Sequence, residues 1–340
     1  MKDVARRAEV STATVSAVIN GSSFVSEALA SRVRQAIAEL HYAPSSLARS
    51  LRTQTTRLIG VIVADITNPY FAQLVRCIGA ELRGRGYSFL LCETDLDPER
   101  EAEALLLLGA HGVDGVILAP TAPTGAYDGG LLVPFSRPVV MVDRVVPQLA
   151  CDSVQIDNRR AAREVTEYLI GLGHRRIGIL CGALHLRNME ERLEGFRDAL
   201  AAAGLSLDPA DRIVSDVREE PARRACQPLF ARAERPSALF IANNEMTIGA
   251  MRALTEAGLT CPADISIAAI DDFPWADSFS PHLTVQAQPI AEIAEAAVRL
   301  LLRRLAKRKP EAGGDVPVEH VVLPTRLVIR DSCARHAQGE

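Results

Sequence analysis

Val10-Ser11-Thr12-Ala13-Thr14-Val15-Ser16-Ala17-Val18-Ile19-Asn20-Gly21 decides how the first part of this 340-residue chain folds. Ser11 can N-cap a helix by accepting a hydrogen bond from the amide of Ala13 or Thr14. Val15, Val18 and Ile19 then form one inward stripe, and Asn20-Gly21 ends the helix. Upstream, Val4, Ala5 and Ala8 share a face at helical spacing. Downstream, Ser26 is placed to cap a third helix whose inward set is Leu29, Val33, Ala36, Ile37 and Leu40. Two short helices joined by a tight turn and followed by a third make the helix-turn-helix pattern.

The outward face of the second helix carries Thr12, Ala13, Ser16 and Ala17. Small uncharged groups on a solvent face let a backbone approach base edges, and methyls and hydroxyls can contact thymine methyls or phosphates. Charge points the same way. Residues 1–57 hold eight basic and four acidic side chains, so they carry +4 and the remainder −8 of the net −4. A basic head on an acidic body suits a phosphate-binding module attached to something that avoids phosphate.

Lys2-Asp3-Val4-Ala5, the stretch 10–16, Val18-Ile19-Asn20-Gly21 and Leu40-His41-Tyr42-Ala43-Pro44-Ser45-Ser46-Leu47-Ala48-Arg49-Ser50-Leu51 together resemble the head and hinge of the lactose-repressor/galactose-repressor family. The resemblance implies that Thr12, Ala13 and Ala17 read bases and that Leu51 is a wedge for the minor groove. Ala17 stands where members often carry a long polar side chain, so one bidentate contact, worth about 1–3 kcal/mol of discrimination, is absent. A hinge helix capped by Ser45 is too short to persist alone, and two of them, one per subunit, could order on DNA and open a base step. The DNA-facing set is therefore Thr12, Ala13, Ser16, Ala17, Asn20, Ser45, Ala48 and Leu51. The expected partner is palindromic double-stranded operator DNA, bound by a homodimer.

After residue 57 the pattern changes. Strand-length apolar runs at 58–64, 87–92, 113–119 and 139–142 are interleaved with helical stretches at 70–85 and 98–110. The alternation restarts at Asp157, with strands at 176–181, 238–242 and 266–270 and helices at 158–172, 190–203 and 244–257. A last long helix spans about 290–305, with a strand at 318–323 and a strand-like stretch at 326–329. Buried runs alternating with amphipathic helices imply parallel sheets covered on both faces. The expected fold class is α/β: an all-α helix-turn-helix head plus two Rossmann-like lobes of periplasmic-binding-protein type. The expected divisions are 1–43 for the head, 44–56 for the hinge, 57–156 with about 289–318 for the first lobe, and 157–288 with about 319–335 for the second. Further stretches extend the family resemblance along the body: Asp65-Ile66-Thr67-Asn68-Pro69-Tyr70-Phe71, Val113-Asp114-Gly115-Val116-Ile117, Gly171-Leu172-Gly173-His174-Arg175-Arg176-Ile177, Arg192-Leu193-Glu194-Gly195-Phe196 and Asp271-Asp272-Phe273.

Ligands of open α/β sheets bind at the carboxyl ends of strands. Arg187, Asn243 and Asp271 sit at such ends in the second half, and together can donate to and accept from a ring of hydroxyls or a purine edge. Asn68, Phe71 and Asp143 sit at the corresponding ends in the first half, and Gln288 lies at a crossover. The resemblance implies that these seven residues hold a small-molecule effector, a sugar or sugar derivative.

Other classes fit less well. The chain shows no Gly-x-Gly-x-x-Gly, Walker loop, Gly-x-Ser-x-Gly or metal-spaced His/Cys set, so no enzyme and no cofactor is expected. Seven scattered cysteines without Cys-x-x-Cys spacing are expected to be reduced thiols. The first residues lack the apolar core of a secretory signal and no apolar run reaches membrane-spanning length, so a cytoplasmic protein is expected. The alternative that stays open is a solute-binding protein of the same two-lobed build without a DNA function.

Overall fold

The computed structural model describes residues 1–21, 23–42, 55–121, 135, 137–146, 149–182, 186–273, 278, 280–307 and 317–336. By compactness these fall into two units, Met1–Thr56 and Arg57–Glu340.

In the first unit, α1 (Lys2–Ala8), α2 (Thr12–Asn20) and α3 (Glu27–Glu39) close around Val4, Ala5, Ala8, Val15, Val33 and Ala36. Val18, Ile19, Ile37 and Tyr42 pack at the margin. The Ser11 hydroxyl caps α2 by accepting from the Thr14 amide at 3.1 Å, and Gly21 ends the helix in a left-handed conformation. Ser26 holds the N-cap position of α3, yet its hydroxyl makes no capping bond.

The second unit holds two parallel sheets. In the first lobe β1 (Leu58–Val63), β2 (Ser88–Glu93), β3 (Gly115–Leu118), β4 (Val139–Val142), β5 (Asp152–Ile156) and β11 (His320–Leu323) run in the order β11-β5-β4-β3-β1-β2. Its helices include α4 (Pro69–Gly84), α5 (Pro98–Ala110) and α10 (Ile290–Lys307). In the second lobe β6 (Ile177–Cys181), β7 (Arg212–Val214), β8 (Ala238–Ile241), β9 (Ser266–Ile270), β10 (Thr284–Ala287) and β12 (Arg326–Val328) run in the order β12-β10-β9-β8-β6-β7. There α6 (Asn158–Gly171), α7 (Arg187–Ala202), α8 (Glu219–Phe230) and α9 (Asn244–Glu256) flank the sheet. Only β12 runs antiparallel among the described strands, against β10.

The division expected at about residue 319 is corrected by β11. His320–Leu323 pairs with Ser153–Ile156 and so extends the first sheet. The backbone chemistry explains the longer stay: β5 would otherwise leave a bare edge, and β11 covers it before the chain crosses to β12. Short strands β5 and β7 and helix α8 were not visible in the sequence pattern.

Candidate functional site between the lobes

The strands end where the helices begin, and the turns between them line a cleft. Each turn carries a residue with a structural duty and a side chain on the cleft. Asn68 caps α4 by accepting from the Tyr70 amide at 2.9 Å, with Pro69 preset for the first helical turn. Asn243 caps α9 by accepting from the Met246 amide at 2.8 Å, and its amide group donates to the Val217 carbonyl at 3.0 Å. The two lobes touch through these ends. The Asn244 amide donates to Asn68 Oδ1 at 3.0 Å, and the Asn188 amide to Asp143 Oδ2 at 3.4 Å. At the rim the Arg218 guanidinium pairs with the Asp95 carboxylate.

Asn68, Phe71, Asp143, Asn243, Asp271 and Gln288 all line this cleft. Arg187 does not. Its side chain is 47% exposed and pairs with Glu191 one turn along α7 at 2.8 Å. The helix repeat supplies the reason. Asn188 and Arg192, four apart, share the inward face of α7, whereas Arg187 is rotated about 100° from Asn188. Arg192 takes the place in the cleft expected of Arg187. It is 2% exposed, donates from Nε to Asn158 Oδ1 at 2.9 Å and from Nη1 to the Ala242 carbonyl, and lines the cleft. Its Nη2 has no hydrogen-bond partner among the described residues.

Arg192-Leu193-Glu194-Gly195-Phe196 explains how that guanidinium is held. A Cβ on Gly195 would lie 1.9 Å from the Arg159 carbonyl oxygen, so only glycine lets α7 approach α6 this closely. Phe196 then stacks on Phe240 with ring centroids 5.9 Å apart. The motif was legible; its arginine was passed over for one that lies nearer the strand end in sequence.

Tyr70 is a second residue missed in the sequence. It packs edge-on against Phe71, with centroids 5.1 Å apart, and its buried hydroxyl has no hydrogen-bond partner among the described residues. Burial, with Asp143 and Asp271 adding to it, pushes the Tyr70 phenol well above its ordinary value, so it stays a neutral hydrogen-bond donor. Asp271 receives a bond from Gln288 Nε2 at 2.6 Å. Burial raises the Asp271 carboxyl above its ordinary value, against the pull of the Arg192 guanidinium. The cleft thus combines an aromatic wall (Tyr70, Phe71), carboxylates that include Asp143 and Asp271, the buried Arg192 guanidinium beside Arg144 and Arg218, and amides (Asn68, Asn188, Asn243, Gln288). Such a set can surround a compact polyhydroxylated ring with donors and acceptors. Its internal free volume is about 40 Å³.

On the head, Thr12 and Ala13 are exposed and Ser16 is half-buried. Ala17, expected to face outward, is only 8% exposed. The side chain of Asn20, and Ser45, Ala48 and Leu51 entirely, lie outside the described residues. Among the described residues no helix is long and apolar enough to cross a membrane, and no group of His, Cys, Asp and Glu could hold a metal ion.

A helix-turn-helix unit joined to a two-lobed binding unit defines a class: DNA-binding regulators that carry their own ligand-binding body. Comparison with known proteins gives the family. Residues 1–45 match the bacterial regulatory proteins of the lacI family, and residues 166–333 match a periplasmic binding protein-like domain. The chain is 38% identical over 308 residues to a ribose operon repressor of Escherichia coli (strain K12), covering 90% of this chain and 93% of that protein. A Lac repressor dimer bound to operator and the anti-inducer ONPF superposes with a TM-score of 0.84 at 28% identity, covering 98% of both chains. A LacI family transcriptional regulator from Enterococcus faecium with bound ribose superposes with a TM-score of 0.72 at 30% identity, covering 82% of this chain and 100% of that one. The chain belongs to the lacI family of bacterial transcription regulators.

Proposed function

We propose that this chain is a repressor whose affinity for a palindromic operator is set by a small sugar, or sugar derivative, held between the lobes, and that it works in the cytoplasm as a homodimer without catalytic activity. The observation that carries the reading is the convergence of Asp143 and Asp271, one from each lobe, with the buried Arg192 in a single cleft. A carboxylate on each side gives a polyol acceptors from both lobes at once, so binding ties the lobes' separation to the ligand. The free volume of about 40 Å³ has room for a few waters and not for a sugar ring. A sugar ring therefore enters only as the lobes part, and the ligand must prefer one lobe arrangement over another. That preference is what lets a ligand alter DNA affinity.

Ribose is the first candidate, because the relative at 38% identity is named a ribose operon repressor and the Enterococcus faecium regulator holds ribose. On the head, Thr12 and Ala13 are the exposed positions suited to base edges. Two heads on a palindrome require a twofold arrangement of subunits. The test is a thermal-shift series with ribose, other pentoses, hexoses and guanine. A ligand at about 100 times its dissociation constant stabilises by about 2.7 kcal/mol, which is readily seen. A shift with a sugar that disappears in Asp271→Asn supports the reading. A shift with guanine alone, or an equal sugar shift in the variant, overturns it.

A further inference from the structure

Strand β7 is the free edge of the second sheet, and helix α7 does not fully cover it. Arg212 pairs in register with Ile179 and Val214 with Cys181, so Arg212 and Val214 emerge on the same sheet face as those residues. Between this face and the C-terminal half of α7 lies a hollow of about 490 Å³, far larger than the cleft. Its walls include Arg197, Leu200, Leu205, Leu207 and Arg212. Val214, on the same strand, is 46% exposed.

The two arginines are the unusual feature. No carboxylate pairs with either among the described residues. Arg212 Nε is buried with no hydrogen-bond partner among the described residues. The carboxylates nearest in sequence are all engaged elsewhere. Asp198 is held by Arg159, Asp208 caps the Ala210 amide and faces Arg176, and Asp211 is bound by Arg176 and Arg232. The positive field in the hollow is therefore not neutralised from within, and the rest of the wall is mostly apolar: Leu200, Ala201, Leu205, Leu207 and Pro209, with Ser206.

We propose that this hollow is a second small-molecule site, separate from the cleft, for an organic anion that carries one carboxylate or phosphate group on a compact apolar body. The anionic group lies between Arg197 and Arg212 and accepts from the parts of their guanidinium groups that face the hollow. The body lies against Leu200, Leu205 and Leu207. An inorganic anion satisfies only half of this surface, and an uncharged alkyl chain only the other half.

The test is isothermal titration calorimetry on the full-length protein with hexanoate, hexyl phosphate and hexanol. At least one of the two anions binds saturably with a dissociation constant at or below about 1 mM, while hexanol does not. Arg197→Gln and Arg212→Gln each weaken that anion by about tenfold, the loss of one charge-assisted hydrogen bond. Ribose binding is unchanged in both, because neither residue lines the cleft. Hexyl phosphate binding without hexanoate assigns the site to phosphorylated ligands, and the reverse assigns it to carboxylates. The proposal fails if neither anion saturates below about 10 mM. It fails equally if wild type and both variants bind alike, which would place the anion at the cleft arginines.

Discussion

Asp143 and Asp271 occupy the same place in the two lobes. Each is the first residue after a central strand, β4 or β9, and each has a left-handed backbone, with φ of 65° and 82°. Each donates its amide to the next strand, Asp143 to the Val154 carbonyl at 3.2 Å and Asp271 to the Gln286 carbonyl at 3.1 Å. Left-handed backbone at a non-glycine residue costs of order 1–3 kcal/mol and persists where the surroundings or a function demand it. Here it turns both carboxylates toward one cleft. Asparagine tolerates the same backbone, so Asp143→Asn and Asp271→Asn should fold and yet bind ribose about 10- to 100-fold more weakly. Calorimetry on the two variants checks this.

Arg192→Ala and Arg187→Ala should separate cleanly, although both residues lie on α7. Removing Arg192 leaves Asn158 Oδ1 and the Ala242 carbonyl without their donor in a buried setting. A loss of about 1.5–3 kcal/mol in urea unfolding, together with loss of ribose binding, is expected. Arg187 holds an exposed pair, and its removal should change stability by less than about 1 kcal/mol. Equal ribose affinities in the two variants would return the site to Arg187.

Gly195→Ala tests how the site is built. The added methyl meets the Arg159 carbonyl and must push α7 away from α6. A stability loss of about 1–3 kcal/mol is expected, with weaker ribose binding as Arg192 shifts with its helix. Denaturation midpoints and ribose titrations of the same preparation report both effects.

The pH dependence has a fixed sign. Burial raises the folded Asp271 carboxyl above its ordinary value of 3.8, with Arg192 opposing. The folded chain therefore holds this proton more tightly than the unfolded chain. Its contribution to stability is complete below the ordinary value and is lost as pH rises through the raised folded one. A ligand hydroxyl that donates to the carboxylate favours the ionised form. Ribose affinity should thus increase with pH over that window in wild type and stay flat in Asp271→Asn, as read by calorimetry at several pH values.

Much of this was legible in the sequence because two periodicities alternate along the body and each turn carries its own cap. Asn68 and Asn243 were found as strand-end polar residues, and both prove to cap the helix that follows. Other parts were hidden for physical reasons. β7 spans three residues, too short to show a period, and β5 carries Asp152, Ser153 and Gln155, so no apolar run marks it. The helix α8 begins at Glu219 without a side-chain cap and contains Pro228, so neither a start signal nor an unbroken pattern marks it. Arg187 and Arg192 differ by five positions, and sequence distance from the strand end favours the first. Only the helix phase, fixed by Gly195 against Arg159, turns the second inward. Ala17 was read from the helical repeat as outward and is 8% exposed, while Ala13 on the same helix is exposed.

The head offers an independent test. Thr12 and Ala13 are exposed at the start of α2 and make no contribution to the head's core. Ala13→Glu adds a charge that repels phosphate, so it should abolish operator binding while leaving ribose binding in the body unchanged. Gel retardation and calorimetry on one preparation would show both.

The most direct test of the account is an operator titration by fluorescence anisotropy, with and without saturating ribose, on wild type and Asp271→Asn. Ribose should shift the wild-type operator affinity by about 5- to 150-fold, the usual range of coupling between two sites. The variant should bind operator as wild type does without ribose and should show no shift at the same ribose concentration. A variant that responds to ribose with an unchanged half-maximal concentration would contradict the placement of the effector between Asp143, Asp271 and Arg192.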